Sequence, residues 1–462
     1  MLLKHVLVFL LCFTCGLLQL LSSCASLPNR EEVLGEGNHG SAVLQLKDAG
    51  GHLSAQRSEC VLDHAAGDPE EAEQLKRLVH AEQNITGRPL IAGNRVTLLV
   101  DGPTAYKAMF DAIEKAKDYI YLETFTLADD QLGHRLADLL LERRSAGVEV
   151  KIIYDAIGSF SSSSEYFDRL RSGGVLVHEY HPVDIRVWRL TQRDHRKLLI
   201  VDGKVAFTGG INVSDVYFSS SPSSNKVKKH DTKSSWRDTQ VRIEGPAVAE
   251  FQKLFLQTWA QGEEKDNHTE QAPPPLNNVD DDLVRVVAST GGKDEYSIYK
   301  TYLNAILLAR WRIWVTQAYF SPNDQFISAL EDAARRGVDV RIILPGFTDS
   351  RFILYTSRAH YTKLLEAGVK LYERDDRLVH AKTAVIDGMW STVGSSNLDY
   401  LSFVHDNEAN AVIVGRDFGQ QMENLFQHDL SHAQSIELEK WKQRSIRERM
   451  NERFFSLFKY WF

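Results

Sequence analysis

Cysteine is scarce in this chain, and its distribution excludes most of what cysteine does in proteins. Four occur in 462 residues, and three of them, Cys12, Cys15 and Cys24, lie in the first 24 positions. Once such a leader is removed Cys60 stands alone, so no internal disulfide framework can form and Cys60 reads as a buried apolar filler or a bystander. No cysteine–histidine cluster with metal-ligand spacing occurs, and neither a metal nor another cofactor is expected. A basic excess is missing too. The formal net charge of −8 leaves no electrostatic footprint for nucleic acid, and no nucleic-acid partner is expected. With 12 prolines, 43% hydrophobic and 25% charged residues, the chain has no disordered bias and is long enough for two globular domains.

Long apolar runs are also wanting. The run at residues 6–21, behind Lys4, falls short of the roughly 20 residues that span a bilayer comfortably. It ends in Leu21-Ser-Ser-Cys24, small residues before a cysteine, so residues 1–24 read as a signal segment. This end resembles the lipobox of bacterial lipoproteins, which would make Cys24 the lipidated first residue of the mature protein. An uncleaved anchor is the alternative. Either way the chain belongs at a membrane, and the lipoprotein reading places it in a bacterial cell envelope, facing the periplasm.

What is present is a long-period repeat. Residues 25–94 form a lead-in of low information, residues 95–260 a first domain, 261–283 a linker with Pro273-Pro-Pro275, and 284–430 a second domain. In the first domain, strands are expected at 96–100, 118–124 and 148–155, and helices at 105–117 and 132–145. The second repeats the order, with helices at 299–309 and 326–336 and strands at 313–316 and 337–343. Gly337-Val-Asp-Val echoes Gly147-Val-Glu-Val, and alternating strands and helices predict an α/β fold with helices on the faces of a sheet. A Ser/Lys-rich insert at 219–235 reads as a solvated loop, with a lid or a contact with anionic lipid headgroups as the sharper alternatives. The tail at 431–462 ends in interleaved arginines and aromatics, which suits a helix at the headgroup boundary or one packed on the core.

The densest repeat is His195-Arg-Lys197-Leu-Leu-Ile-Val-Asp202 followed by Gly209-Gly210-Ile-Asn212, matched by His380-Ala-Lys382-Thr-Ala-Val-Ile-Asp387 followed by Gly394-Ser395-Ser396-Asn397. The offsets of His, Lys, Asp and Asn are identical, and two matching half-sites suggest one active site. Displacement at a phosphodiester needs a nucleophile on phosphorus, an acid for the departing alkoxide and donors for the non-bridging oxygens. One imidazole attacks to give a phosphohistidine while the other protonates the leaving group. Lys197, Lys382, Asn212 and Asn397 hold the phosphoryl oxygens. Each imidazole then needs a partner on its second nitrogen, and Asp238 and Glu408 are the candidates, with surface ion pairs as the alternative. Asp202 and Asp387, each between an apolar run and a glycine, are counted with the catalytic set as residues that position it.

These paired elements resemble the phospholipase D superfamily, and within it the bacterial cardiolipin synthases, from about Arg95 to the C-terminus. Tyr121-Leu-Glu123-Thr-Phe, Asp155-Ala-Ile-Gly158-Ser159, Trp236-Arg237-Asp238, Tyr319-Phe-Ser-Pro322 and Asn397-Leu-Asp399 add to the likeness. The resemblance implies two tandem α/β/α sandwich domains related by a pseudo-twofold. It also implies His195 as nucleophile, His380 as general acid, and Asp238 and Glu408 as the orienting carboxylates. The implied reaction passes a phosphatidyl group to the free glycerol hydroxyl of phosphatidylglycerol, with phospholipids as substrates. A hydrolase on the same scaffold is the alternative, and an envelope nuclease or an idle membrane scaffold is less favoured. Asp406 and Leu401 stand where relatives often carry Asn and Arg, which bears on headgroup preference.

Overall fold

The computed structural model describes residues 27–39, 44–183, 191–218, 236–262, 277–291 and 295–457. The leader with Cys24, the insert at 219–235, residues 263–276 of the linker and residues 458–462 of the tail lie outside them. Among the described residues no helix is long and apolar enough to cross a membrane.

The lead-in contributes α1 (Arg30–His39), β1 (Leu46–Asp48), β2 (Gly51–His52), α2 (Ala55–Ala65) and α3 (Pro69–Thr86). The first repeat runs β3 (Leu90–Val100), α4 (Gly102–Glu114), β4 (Tyr119–Thr124), α5 (Gln131–Ser145), β5 (Glu149–Asp155), α6 (Ser164–Ser172) and β6 (Leu176–Tyr180). It continues with β7 (Lys197–Val201), β8 (Val205–Gly209), α7 (Asp215–Phe218), β9 (Trp236–Arg237), β10 (Thr239–Glu244) and α8 (Val248–Trp259). The second repeat runs β11 (Asp282–Ser289), α9 (Ser297–Leu308), β12 (Arg312–Gln317), β13 (Phe320–Ser321), α10 (Asp324–Arg335), β14 (Asp339–Pro345), α11 (Arg351–Arg358), α12 (Tyr361–Glu366) and β15 (Lys370–Arg374). After it come β16 (Leu378–Val379), β17 (Lys382–Ile386), β18 (Trp390–Gly394), β19 (Leu398–Asp399), α13 (Tyr400–Val404), β20 (Glu408–Val414) and α14 (Arg416–Leu430). The tail adds β21 (Ala433–Ser435), α15 (Leu438–Lys442) and α16 (Ile446–Ser456).

Local chemistry explains why the two repeats take the same path. Asp130 and Asn323 cap α5 and α10, each accepting from a backbone N–H three residues on. The echoed glycines that follow these helices, Gly147 and Gly337, have φ of 95° and 94°, the left-handed turn that ends a helix at low cost only for glycine. The buried parallel strands β5 and β14 begin just beyond.

Strand order β6-β5-β4-β7-β8-β10-β3 in the first half is matched by β15-β14-β12-β17-β18-β20-β11 in the second. Antiparallel pairing of β3 with β11 joins the halves into one sheet about a pseudo-twofold. Here β3 departs from the expected 96–100. Residues Arg95–Val100 pair with β10, whereas Ile91 and Asn94 pair with β11. This earlier stretch is buried on both faces, so it lacks the alternation by which a half-exposed strand is read from sequence.

Helices α8 and α14 cover one face together, packing Phe251, Phe255, Met422 and Phe426 against strands of both halves in a shared core. On the other face α4, α5 and α6 cover the first half. The lead-in, which carries little sequence signal, covers the second half with α9 and α10, burying Leu75 and Val79 against Tyr302. It is pinned there by Glu82 of α3, whose carboxylate pairs with Arg285 of β11 and accepts from the Trp390 indole, all three side chains fully enclosed. The tail docks as well: Trp441 donates to Thr362 Oγ1 at 3.2 Å, and the Phe455 ring stacks on Tyr355 of α11 at 5.4 Å.

Because Glu82→Ala leaves an uncompensated buried guanidinium, it is expected to destabilise the fold by about 3–5 kcal/mol, whereas Glu82→Leu combined with Arg285→Met costs far less. Calorimetric melting of the three proteins checks this, and equal melting temperatures for Glu82→Ala and the parent would refute the pinning role.

Candidate active site

The central strands β7 and β17 place the repeated motif. His195 lies two residues ahead of the first residue of β7, which is Lys197, and His380 stands in the same relation to Lys382 of β17. Each strand then runs through buried apolar residues to Asp202 or Asp387. Both aspartates have φ of 53° and are followed by glycines that also have positive φ. The Asp202 carboxylate accepts from the backbone N–H groups of Lys117, Asp118 and Tyr119 at 2.8–3.0 Å. Asp387 does the same for Arg310, Trp311 and Arg312 at 2.8–2.9 Å. They therefore brace the starts of β4 and β12 at the far ends of their strands from the histidines. This is the bracing geometry expected of residues that position the motif, and both carboxylates spend their lone pairs on backbone amides.

The orienting carboxylates are crossed between the repeats. His195 Nδ1 lies 2.9 Å from Oε1 of Glu408, and His380 Nδ1 lies 2.8 Å from Oδ2 of Asp238. The backbone builds this crossing. His195 donates its N–H to the Asn407 carbonyl at 2.9 Å, and His380 donates to the Arg237 carbonyl at 2.8 Å, where β16 pairs in parallel with β9. The loop that carries each imidazole is thus stitched to the loop that carries the carboxylate of the other repeat.

The two carboxylates are held differently. The Ser395 hydroxyl donates to Glu408 Oε2 and accepts from the Ala409 N–H at 3.0 Å. At the equivalent position in the first repeat, a Cβ on Gly210 would meet Asp238 Oδ1 at 2.2 Å, so the close approach of Asp238 requires glycine there. Asn212 donates to the Tyr217 hydroxyl at 2.9 Å, and that oxygen is 3.4 Å from His380 Nδ1. The buried Oδ1 of Asn397 has no partner among the described residues.

Both lysines fold back on their own histidines, each donating to that histidine's carbonyl at 2.5 Å, and Lys382 Nζ also lies 3.2 Å from Nε2 of His380. Burial pulls Lys197 down to about 7 and Lys382 down to about 8. Burial, and then both ammonium groups, hold His195 well below the ordinary imidazole range, while His380 is lowered to about 4 by burial and then by Lys382 and Lys197. Each imidazole thus feels the lysines of both repeats, which puts the four groups around one site. Glu408 is pushed up to about 7 by burial, against the pull of Lys197. The lysines are lowered by desolvation even though Glu408 and Asp238 favour their charged forms.

Several residues here lacked a role in the sequence. The Phe125 ring stands edge-on to His195 at 5.0 Å with Lys197 Nζ 5.3 Å over its face, and Trp236 and Tyr319 lie 4.9 and 6.4 Å from the His380 ring. All three fall in family-like stretches, which was their only signal. Asp406 accepts from the Arg193 N–H at 3.1 Å, and burial with Glu408 and Asp399 nearby raises it well above the carboxylate range. A carboxyl that keeps its proton offers one donor and one acceptor, much as an asparagine side chain does.

Two imidazole–carboxylate pairs and two lysines, drawn equally from the two halves of one sheet, are the equipment of an enzyme that transfers phosphodiester groups. The sequence model of the family described as "Cardiolipin synthase, PLD-like domain" matches residues 109–259 and 302–430. A cardiolipin synthase of Geobacillus thermodenitrificans is 34% identical over 387 residues, covering 82% of this chain and 75% of that one. Cardiolipin synthase A of Pseudomonas putida is 35% identical over 362 residues, covering 76% and 71%. Among solved structures, a phosphatidylserine synthase of Haemophilus influenzae superposes with a TM-score of 0.61 at 13% identity over 83% of this chain and 96% of that one, a likeness of fold. The chain belongs to the cardiolipin synthase family with PLD-like domains.

Asp238→Asn removes the partner that raises His380, so the His380 titration should move below about 4 while turnover falls about 10²–10⁴-fold with little change in KM. Imidazole NMR titration together with steady-state kinetics checks this; a His380 titration that stays put would show that the pair is not coupled.

Proposed function

We propose that the protein is a phosphatidyltransferase that makes cardiolipin from two molecules of phosphatidylglycerol through a phosphohistidine on His195. The observation that carries the reading is the crossed pairing, His195 with Glu408 and His380 with Asp238, around two buried lysines. With Nδ1 engaged by a carboxylate, each ring keeps Nε2 for the substrate.

In the first step the Nε2 lone pair of His195 attacks phosphorus and the bond to the glycerol headgroup breaks. The leaving oxygen takes its proton from Nε2 of His380, so free glycerol departs. In the second step His380 accepts the proton of the acceptor hydroxyl, and that oxygen attacks phosphorus. The P–N bond breaks and His195 is returned. Lys197 and Lys382 hold the non-bridging oxygens, and the step needs His195 neutral at Nε2 and His380 protonated there, a form that a bound diester anion favours. Asn212 and Asn397 complete the oxygen contacts.

The walls favour a lipid. Phe125 lines the His195 side, and Ile157 and Phe160, exposed in the turn after β5, lie beside Gly158, which packs on Phe125. Phe218, exposed at the end of α7, neighbours Tyr217 on the His380 side. An apolar rim of this kind suits acyl chains better than a polynucleotide backbone. Lipidation at Cys24, facing the periplasm, completes the reading by holding the site at its substrate.

Incubating detergent-solubilised protein with phosphatidylglycerol should give cardiolipin plus glycerol; phosphatidate as the sole product would replace the transferase by a hydrolase, and turnover of DNA or RNA alone by a nuclease. With a phosphatidyl ester of p-nitrophenol, whose leaving group needs no acid, His380→Ala should still release a burst of nitrophenol and His195→Ala should not. A burst from His195→Ala would remove the nucleophile assignment.

A further inference from the structure

The C-terminal helix α16 has two unlike faces. Toward the protein it turns Phe455, stacked on Tyr355 and edge-on to Phe352 of α11, and Glu452, which is buried and takes the Arg444 guanidinium. The helix is started by a capping box between Ser445 and Glu448, so its orientation is fixed at its first turn. Away from the protein it turns Ile446, Met450, Phe454 and Leu457, exposed by 69, 66, 56 and 74%. At 3.6 residues per turn these four fall within a sector of about 80°, with Phe455 opposite. Arg447 borders the sector on one side and Arg449 and Arg453 on the other, all exposed.

Exposed large apolar side chains in one stripe, bordered on both edges by guanidinium groups, are poorly matched to water. They are matched to the boundary of a bilayer whose headgroups are anionic, where the stripe enters the acyl region and the arginines meet phosphate. The helix also sits close to the chemistry. It packs on α11, which begins just after Asp349; Asp349 accepts the Tyr319 hydroxyl at 2.8 Å, and the Tyr319 ring stands by His380. We infer that α16 is an interfacial helix that docks this edge of the second repeat on an anionic phospholipid surface and so sets the active-site wall against the lipid. The inference goes beyond the transfer reaction and is read by lipid contact, not by turnover.

Amide hydrogen exchange of the full chain tests it. In vesicles of phosphatidylglycerol and phosphatidylethanolamine, residues 446–457 should exchange at least tenfold more slowly than in detergent-free, lipid-free protein, and far less slowing should occur in phosphatidylcholine alone. Arg447→Glu with Arg449→Glu and Arg453→Glu should abolish the slowing while leaving turnover of short-chain, monomeric phosphatidylglycerol unchanged. Exchange indifferent to vesicles, or slowed equally by phosphatidylcholine, overturns the inference. So does slowing in lipid-free protein that grows with protein concentration, which would make a second copy the occupant. Wild-type protein that shows the slowing but no turnover would instead overturn the proposed reaction and leave this inference standing.

Discussion

The site depends on each imidazole being oriented by a carboxylate that belongs to the other repeat. A half taken alone would have a histidine without its partner and a carboxylate without its histidine, so neither half-site is competent by itself. Everything that fixes the halves to each other serves this crossing: the β3–β11 pairing, the core shared by α8 and α14, and the short β9–β16 ladder. Arg196 adds to it. Its buried guanidinium donates to the Glu408 and Ser289 carbonyls of the second repeat and to Thr258, whereas the matching residue of the second repeat is Ala381. Arg237 makes the reverse crossing, a bidentate pair with Asp429 of α14 at 2.8–2.9 Å.

Electrostatics gives the closed arrangement its purpose. Burial of two lysines and two histidines depresses all four, because the enclosure disfavours their charged forms. Burial likewise pushes the Glu408 carboxylate up to about 7. On the proposed reaction, a bound diester anion would favour the protonated form of His380.

The halves are alike without being equivalent. A longer carboxylate, Glu408, is held by the Ser395 hydroxyl on the His195 side, and a shorter one, Asp238, fits only because Gly210 leaves room on the His380 side. Phe125 faces one ring and Trp236 with Tyr319 the other. Such differences give the two imidazoles unlike surroundings, although each stands at the same place ahead of the corresponding strand.

Much of the site was legible in the sequence because its key spacing is local. His, Lys and Asn are tied to one strand and the turn behind the next, so a fixed offset along the chain is a fixed geometry in space. The α/β repeat was legible for the same reason, through capped helices ended by Gly147 and Gly337. The pairing of Glu408 with His195 and Asp238 with His380 was not, because those partners lie 213 and 142 residues apart and the offsets are satisfied equally well by either pairing. Asp202 and Asp387 were legible as positioning residues from their place between an apolar run and a glycine, but the backbone amides they brace, on β4 and β12, were not. The lead-in hid its place because Glu82 finds its partners in Arg285 and Trp390, on strands of the second repeat. Sequence by itself determined the two half-sites and the layers that carry them; which half completes which was decided by tertiary structure, because burial and hydrogen bonding act through space and not along the chain.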